Sequence, residues 1–181
     1  SSQYTGIKLV KYIKGQCGDS KKTRELKSEL REFVGDDITK WTFLHSGLTE
    51  AITNVSHHAY PEKNGYLMKN KNWYLTGSYN TTKKQLKIVF YDQGIGIPKS
   101  LPSSHVWEHI VSGLADVVSS VEGKRDAVLL KAAVEYSRTS TGQKERGKGL
   151  SDLLTFIKQR GEGYLSILSL KGLYKYTLNN G

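Results

Sequence analysis

Glu50-Ala51-Ile52-Thr53-Asn54-Val55-Ser56-His57-His58-Ala59-Tyr60 is the stretch from which the fold can be read. From Ile38 to about His58 the apolar positions Trp41, Leu44, Leu48, Ala51, Ile52 and Val55 recur at intervals of three and four, the stripe of a helix buried along one face. Pro61 stops it, because proline has no N–H to continue the helical ladder. Glu50 and Asn54 are four residues apart, so on that helix they share a face and point into one site, while Ala51, Ile52 and Val55 bury the other side. A carboxylate can polarise a water or a hydroxyl, and an amide oxygen is a hard ligand of the kind Mg²⁺ accepts. Standing alone, the pair reads as two solvated side chains on an amphipathic helix.

Two downstream segments change that balance. In Ile88-Val89-Phe90-Tyr91-Asp92-Gln93-Gly94-Ile95-Gly96-Ile97 an acidic residue ends a strand and two alternate glycines follow. Glycine lets the backbone turn sharply and approach a ligand without a Cβ in the way, and the Asp can accept a hydrogen bond from an exocyclic amine such as that of adenine. The segment does not fit a dinucleotide fingerprint, which needs a third glycine and a helix opening directly behind it. In Arg146-Gly147-Lys148-Gly149-Leu150-Ser151 a glycine loop opens a helix, offering free N–H groups and the positive end of the helix dipole to phosphate, with Arg146 and Lys148 adding charge. It does not reproduce the spacing of a Walker loop.

The remaining pattern places these segments. Ile7 to Ile13 suits a short strand and Lys22 to Val34 a helix ending near Gly35, with Asp36 or Asp37 as the next N-cap. Trp73 to Tyr79 and Gln85 to Tyr91 read as a hairpin around Asn80-Thr81-Thr82-Lys83. Between Pro98 and Gly147 two helical patterns, about Ser104 to Ser119 and Arg125 to Tyr136, precede the polar stretch Ser137 to Glu145, an expected lid over a site. Gly149 to Gln159 is again helical, and Tyr164 to Leu170 and Leu173 to Leu178 pair as strands joined at Lys171-Gly172. Helices and an antiparallel or mixed sheet in this order predict an α+β, two-layer α/β sandwich.

At 181 residues the chain fits one ordinary domain, and its 37% hydrophobic and 24% charged content lies outside the disordered range. No apolar run approaches the roughly 18 to 20 residues needed to cross a bilayer, and Ser1 to Lys8 lacks the order of a signal peptide, so the expected location is cytoplasmic. Cys17 is the sole cysteine, which excludes an internal disulfide. The start without Met and the stop shortly after an apparent strand read as a domain excised from a longer protein. The formal charge of +10 raises anionic partners. The basic residues are nevertheless scattered singly, without the Arg/Lys stripe interleaved with aromatics of a nucleic-acid groove, so nucleic acid is not the expected partner.

In order and setting, the three segments resemble the N-box and the first and second glycine boxes of the GHKL, or Bergerat-fold, ATPase and kinase superfamily, which includes the histidine kinase-like ATP-binding domains. The resemblance covers roughly Ile38 to Leu178. It implies a mixed, mostly antiparallel sheet covered by helices on one face, with a helical ATP lid at about 98–146; residues 1–35 would be an appendage of the same domain as 36–181. It also implies ATP and Mg²⁺ as cofactors. Asn54 would hold Mg²⁺, Asp92 the adenine amine, and Gly147 and Gly149 the phosphates, with His58, Gly94, Gly96, Ile97, Arg146, Lys148 and Leu150 around them. The wording Glu50-Ala51-Ile52-Thr53-Asn54, followed by His58-Ala59-Tyr60, is most similar to bacterial anti-sigma serine kinases and their relatives. Glu50 matches the general base, which activates water in the hydrolytic branch and a serine hydroxyl in the kinase branch.

The implied function is Mg-ATP binding with slow hydrolysis or phosphotransfer, in which lid closure regulates attached domains or a protein partner; homodimers are common in such families. The alternatives are a regulatory serine/threonine kinase and a non-catalytic nucleotide-sensing module. His57 and His58 face different ways on a helix and make a poor metal pair. His105 and His109 have two-ligand spacing but no evident third ligand; Tyr60 could stack near the site, although an aromatic after a helix end is more often core, and Trp41, Phe43, Trp73 and Phe156 read as packing.

Overall fold

The computed structural model describes residues 6–34, 41–103, 107–108, 122–139 and 149–179. The chain is mixed α+β, and its strands pair antiparallel in two hydrogen-bonded sheets, one of order β1-β2-β3 and one of β4-β5. It divides into two compact units, Ser1–Trp41 with Val55–Gly94, and Thr42–Asn54 with Ile95–Gly181.

The first unit begins with β1 (Ile7–Gln16) and α1 (Ser20–Val34). Asp19 starts α1 by accepting the backbone N–H groups of Lys21 at 2.9 Å and Lys22 at 3.2 Å, donors that a helix start otherwise leaves unpaired. The helix packs on β1 and buries Leu26 completely. β1 extends three residues beyond the expected Ile13. Its far end, Lys14 to Gln16, finds partners in Tyr74 to Asn72 after an irregularity between Val10 and Ile13. β2 (Asn72–Asn80) and β3 (Gln85–Asp92) form the expected hairpin, with Asn80 Oδ1 accepting the Lys83 N–H at 2.8 Å to close the turn. Trp73, Leu75 and Tyr79 alternate onto one face of β2 and are essentially inaccessible to solvent. Each fully buried apolar side chain of this size contributes about 2–3 kcal/mol.

α2 (Trp41–Asn54) belongs to the second unit from Thr42 on and buries Leu44, Leu48 and Ile52 at helical spacing. The helix expected to run to His58 changes character after Asn54: Val55–Ala59 is a π-helical turn, just before the point where Pro61 withholds its N–H. The short α3 (Ile97–Ser100) follows the first glycine loop. Part of the expected lid is α4 (Glu122–Thr139), which packs on β5 (Gly172–Leu178) and buries Leu129, Leu130 and Val134. Leu101 and Leu129 form a small core with Ile97, Trp107, Ala132 and Ala133. Ser137 to Thr139, expected as the start of a polar loop, is the last turn of α4, because polar residues end a helix as readily as they begin a loop. α5 (Gly149–Arg160) packs on α4 and on β4 (Gly163–Ser169). The proposed cap at Asp36 or Asp37, most of the Ser104 to Ser119 pattern, His105, His109 and Ser140 to Glu145 lie outside the described residues. Among the described residues no helix is long and apolar enough to cross a membrane.

Candidate functional site

Glu50 and Asn54 both lie in the last turns of α2, Glu50 half-buried and Asn54 exposed. The structure brings Glu50 against the glycine that opens α5. A Cβ built on Gly149 would overlap Cβ and Cγ of Glu50 and stand 3.2 Å from the Gly47 carbonyl oxygen. Gly47 makes the reciprocal approach, since a Cβ there would meet the Leu153 side chain and the Gly149 carbonyl. Ser46 Oγ donates to the Asp152 carboxylate, tying the same two helices together. The first and third sequence segments thus meet through Glu50 and Gly149, and only glycine at 149 allows the helix start to come this close. Leu150 follows in α5, half-buried; Arg146, Gly147 and Lys148 lie outside the described residues.

In the first unit Asp92 ends β3, directly across from Trp73. Its Oδ1 accepts the Gly94 N–H at 2.8 Å, the local turn expected of Asp two residues before glycine. Burial pushes the Asp92 carboxyl above its ordinary range, and the Gly94 hydrogen bond partly offsets this. Gly94 itself lies against Ala59, whose carbonyl oxygen and Cβ occupy the space a side chain would need. The Asp92-Gln93-Gly94 turn therefore packs on the π-turn Val55–Ala59. Tyr60 fixes the arrangement: its hydroxyl donates to the Asn72 carbonyl at 2.6 Å and accepts the Gln93 N–H at 3.0 Å. Cys17 lies close enough for the Asp92 charge to act on its thiol, which burial pushes up and a hydrogen bond with Ser56 pulls down.

The rest of the glycine loop belongs to the second unit. Gly96 has φ 82°, a left-handed conformation natural to glycine, with the Leu170 and Ser169 side chains close by. The Ile97 N–H donates to Ser169 Oγ at 2.8 Å, and the β4–β5 turn is itself held by the Lys171 N–H donating to Asp126 Oδ2 at 3.1 Å. His57 and His58 are exposed, with their rings edge to face at 5.9 Å. Among the described residues no group of three or more His, Cys, Asp and Glu side chains could hold a metal ion. An Mg²⁺ held as the sequence implies would rest on an amide oxygen and on phosphate oxygens, a donor set such a grouping does not include.

Sequence reasoning placed Tyr60 in the core or stacked near the site and gave no role to Ser169, Ser46 or Asp152. Tyr60 is indeed buried, yet its hydroxyl is what clamps the loop. Its place directly after the helical stretch is the one signal that pointed to it; the other three act through partners distant in sequence. A scan against protein-family models and searches of curated proteins and of solved structures return no match to this chain.

Proposed function

We propose that the chain is an Mg-ATP-binding domain of the Bergerat type, with slow hydrolysis or phosphotransfer coupled to attached domains or to a protein partner. The observation that carries this reading is the contact of Glu50 with Gly149. The Glu50 side chain and the start of a glycine-opened helix, 99 residues apart in sequence, lie side by side. The half-buried Asp92 carboxylate, with Gly94 seated on the turn after Asn54, supports the purine-reading role of the first glycine box.

In this account Asp92 accepts the adenine amine, and its desolvated surroundings strengthen that contact over its equivalent in water. The α5 N-terminus presents peptide N–H groups to phosphate. Asn54, exposed at the end of α2, offers the amide oxygen for Mg²⁺, which when bound neutralises phosphate charge. Glu50 orients and deprotonates the attacking water or hydroxyl. Catalysis is then mostly placement and charge stabilisation. Replacing Glu50 with Gln should leave ATP affinity within about twofold while abolishing release of phosphate or transfer of label. Turnover equal to that of the parent chain would remove Glu50 from the reaction.

A further inference from the structure

The outward face of β1–β3 combines exposed apolar side chains, stacked tyrosines and lysines. The alternation that buries Trp73, Leu75 and Tyr79 sends Tyr74, Thr76 and Ser78 to the other side, opposite Tyr91, Val89 and Lys87 of β3. Leu9 is 77% exposed and Val89 55%. Tyr12, Tyr74 and Tyr91 form a stacked group, with Tyr74 at 5.8 Å from Tyr12 and 4.7 Å from Tyr91, and the Tyr12 and Tyr91 hydroxyls lie 3.1 Å apart. That phenol pair, the first cause, pushes the Tyr12 hydroxyl up to about 12. The Lys14 ammonium stands 5.9 Å above the Tyr74 ring, and Lys87 is exposed.

The chemistry of this face is one-signed. Asp92 is the only carboxylate in the three strands, and it alternates with Tyr91 onto the opposite face. Among the described residues of the three strands, the apolar side chains on this face are therefore bordered by lysines and by no carboxylate. A second copy of the chain would oppose like charges here, at a cost in an interface. Single-stranded nucleic acid is disfavoured for another reason: Tyr74 is stacked on both Tyr12 and Tyr91 instead of standing open to a base, and the strands contain no arginine. What remains exposed is aliphatic surface, ring edges and ammonium groups, which suits carboxylates interspersed with apolar side chains.

We propose that the outward face of β1–β3 docks an acidic protein segment whose carboxylates meet Lys14 and Lys87 and whose apolar side chains cover Leu9 and Val89. The surface is distinct from the residues assigned to nucleotide, so it stands or falls independently of that assignment.

The test is a backbone and methyl NMR titration of the isotope-labelled chain with three probes: a synthetic Glu/Leu-rich peptide, a Lys/Leu-rich peptide and oligothymidylate. The Glu/Leu peptide should produce saturable shifts at Leu9, Thr76 and Val89 that weaken with salt. The double variant Lys14→Glu, Lys87→Glu should bind it about tenfold more weakly or worse. Leu9→Ser should weaken it without any change of charge, which keeps the result readable if the double variant folds poorly. Shifts that fall elsewhere, affinity unchanged in both variants, or tighter binding of either other probe at these residues would overturn the proposal.

Discussion

Gly149 meets Glu50 with no room between them, so a single methyl group on the Gly149 α-carbon would fall on Cβ and Cγ of the carboxylate-bearing side chain. The start of α5 and the end of α2 are spaced by hydrogen atoms alone at this point. Gly149→Ala should therefore destabilise the chain by about 1–3 kcal/mol, the usual cost of overpacking a tight contact. The urea midpoint would report it. Unchanged stability would mean that the two helices are free to separate, and Glu50 would then lack a fixed position.

Tyr60 holds the loop after β3 through two hydrogen bonds on one hydroxyl. Tyr60→Phe keeps the ring and its contact with Tyr66 at 5.1 Å but leaves the buried Asn72 carbonyl and the Gln93 N–H without this partner. A loss of about 1–3 kcal/mol is expected from chemical denaturation. Faster amide exchange at Gln93 and Gly94 should accompany it, and exchange rates equal to those of the parent chain would show that the hydroxyl does not clamp the loop.

Asp92 is expected to trade stability for recognition. Burial raises its folded pKa above the ordinary 3.8, so the folded chain keeps a proton that the unfolded chain has already released. Stability contributed by this group therefore falls as pH rises from about 4 through the raised value, and the deficit persists above it. Asn at 92 keeps an oxygen for the Gly94 N–H and has no proton to lose. Asp92→Asn should match the parent below the window and become the more stable of the two toward neutral pH, while discriminating ATP from GTP less well. Denaturation midpoints compared across that pH range decide it; parallel curves would mean that the carboxylate is well solvated.

Asn54 ends α2 at the surface, where its substitution should not disturb packing. Asn54→Ala is predicted to weaken Mg-dependent nucleotide binding by at least about tenfold, or ~1.4 kcal/mol. Binding in the absence of Mg²⁺ should change little. An identical response to Mg²⁺ in both chains would place the metal elsewhere.

Periodicity made much of this fold legible. The β2–β3 hairpin, α5 and the β4–β5 pair each carry a strong local pattern, and the structure places them within a residue or two of their expected limits. The π-turn at Val55–Ala59 was not legible, since its apolar positions fit an ordinary helix equally well. α4 looked like part of a lid because its surroundings are polar; that it is packed on β5 depends on the Asp126 carboxylate and the Gly172 approach, both partnered across more than 40 residues. At the site, the Glu50–Asn54 spacing and the Asp92-x-Gly94 turn were readable because each is local. That Glu50 and Gly149 come together was implied only by the resemblance of the joint pattern, because nothing in either segment alone names the other.

Calorimetric titration of the chain with ATP and GTP, each with and without Mg²⁺, measures whether it binds Mg-ATP as proposed. The account predicts saturable binding of ATP, tightened by Mg²⁺, and GTP binding that is far weaker under the same conditions. No heat of binding with ATP, or ATP and GTP bound alike with no response to Mg²⁺, would contradict it.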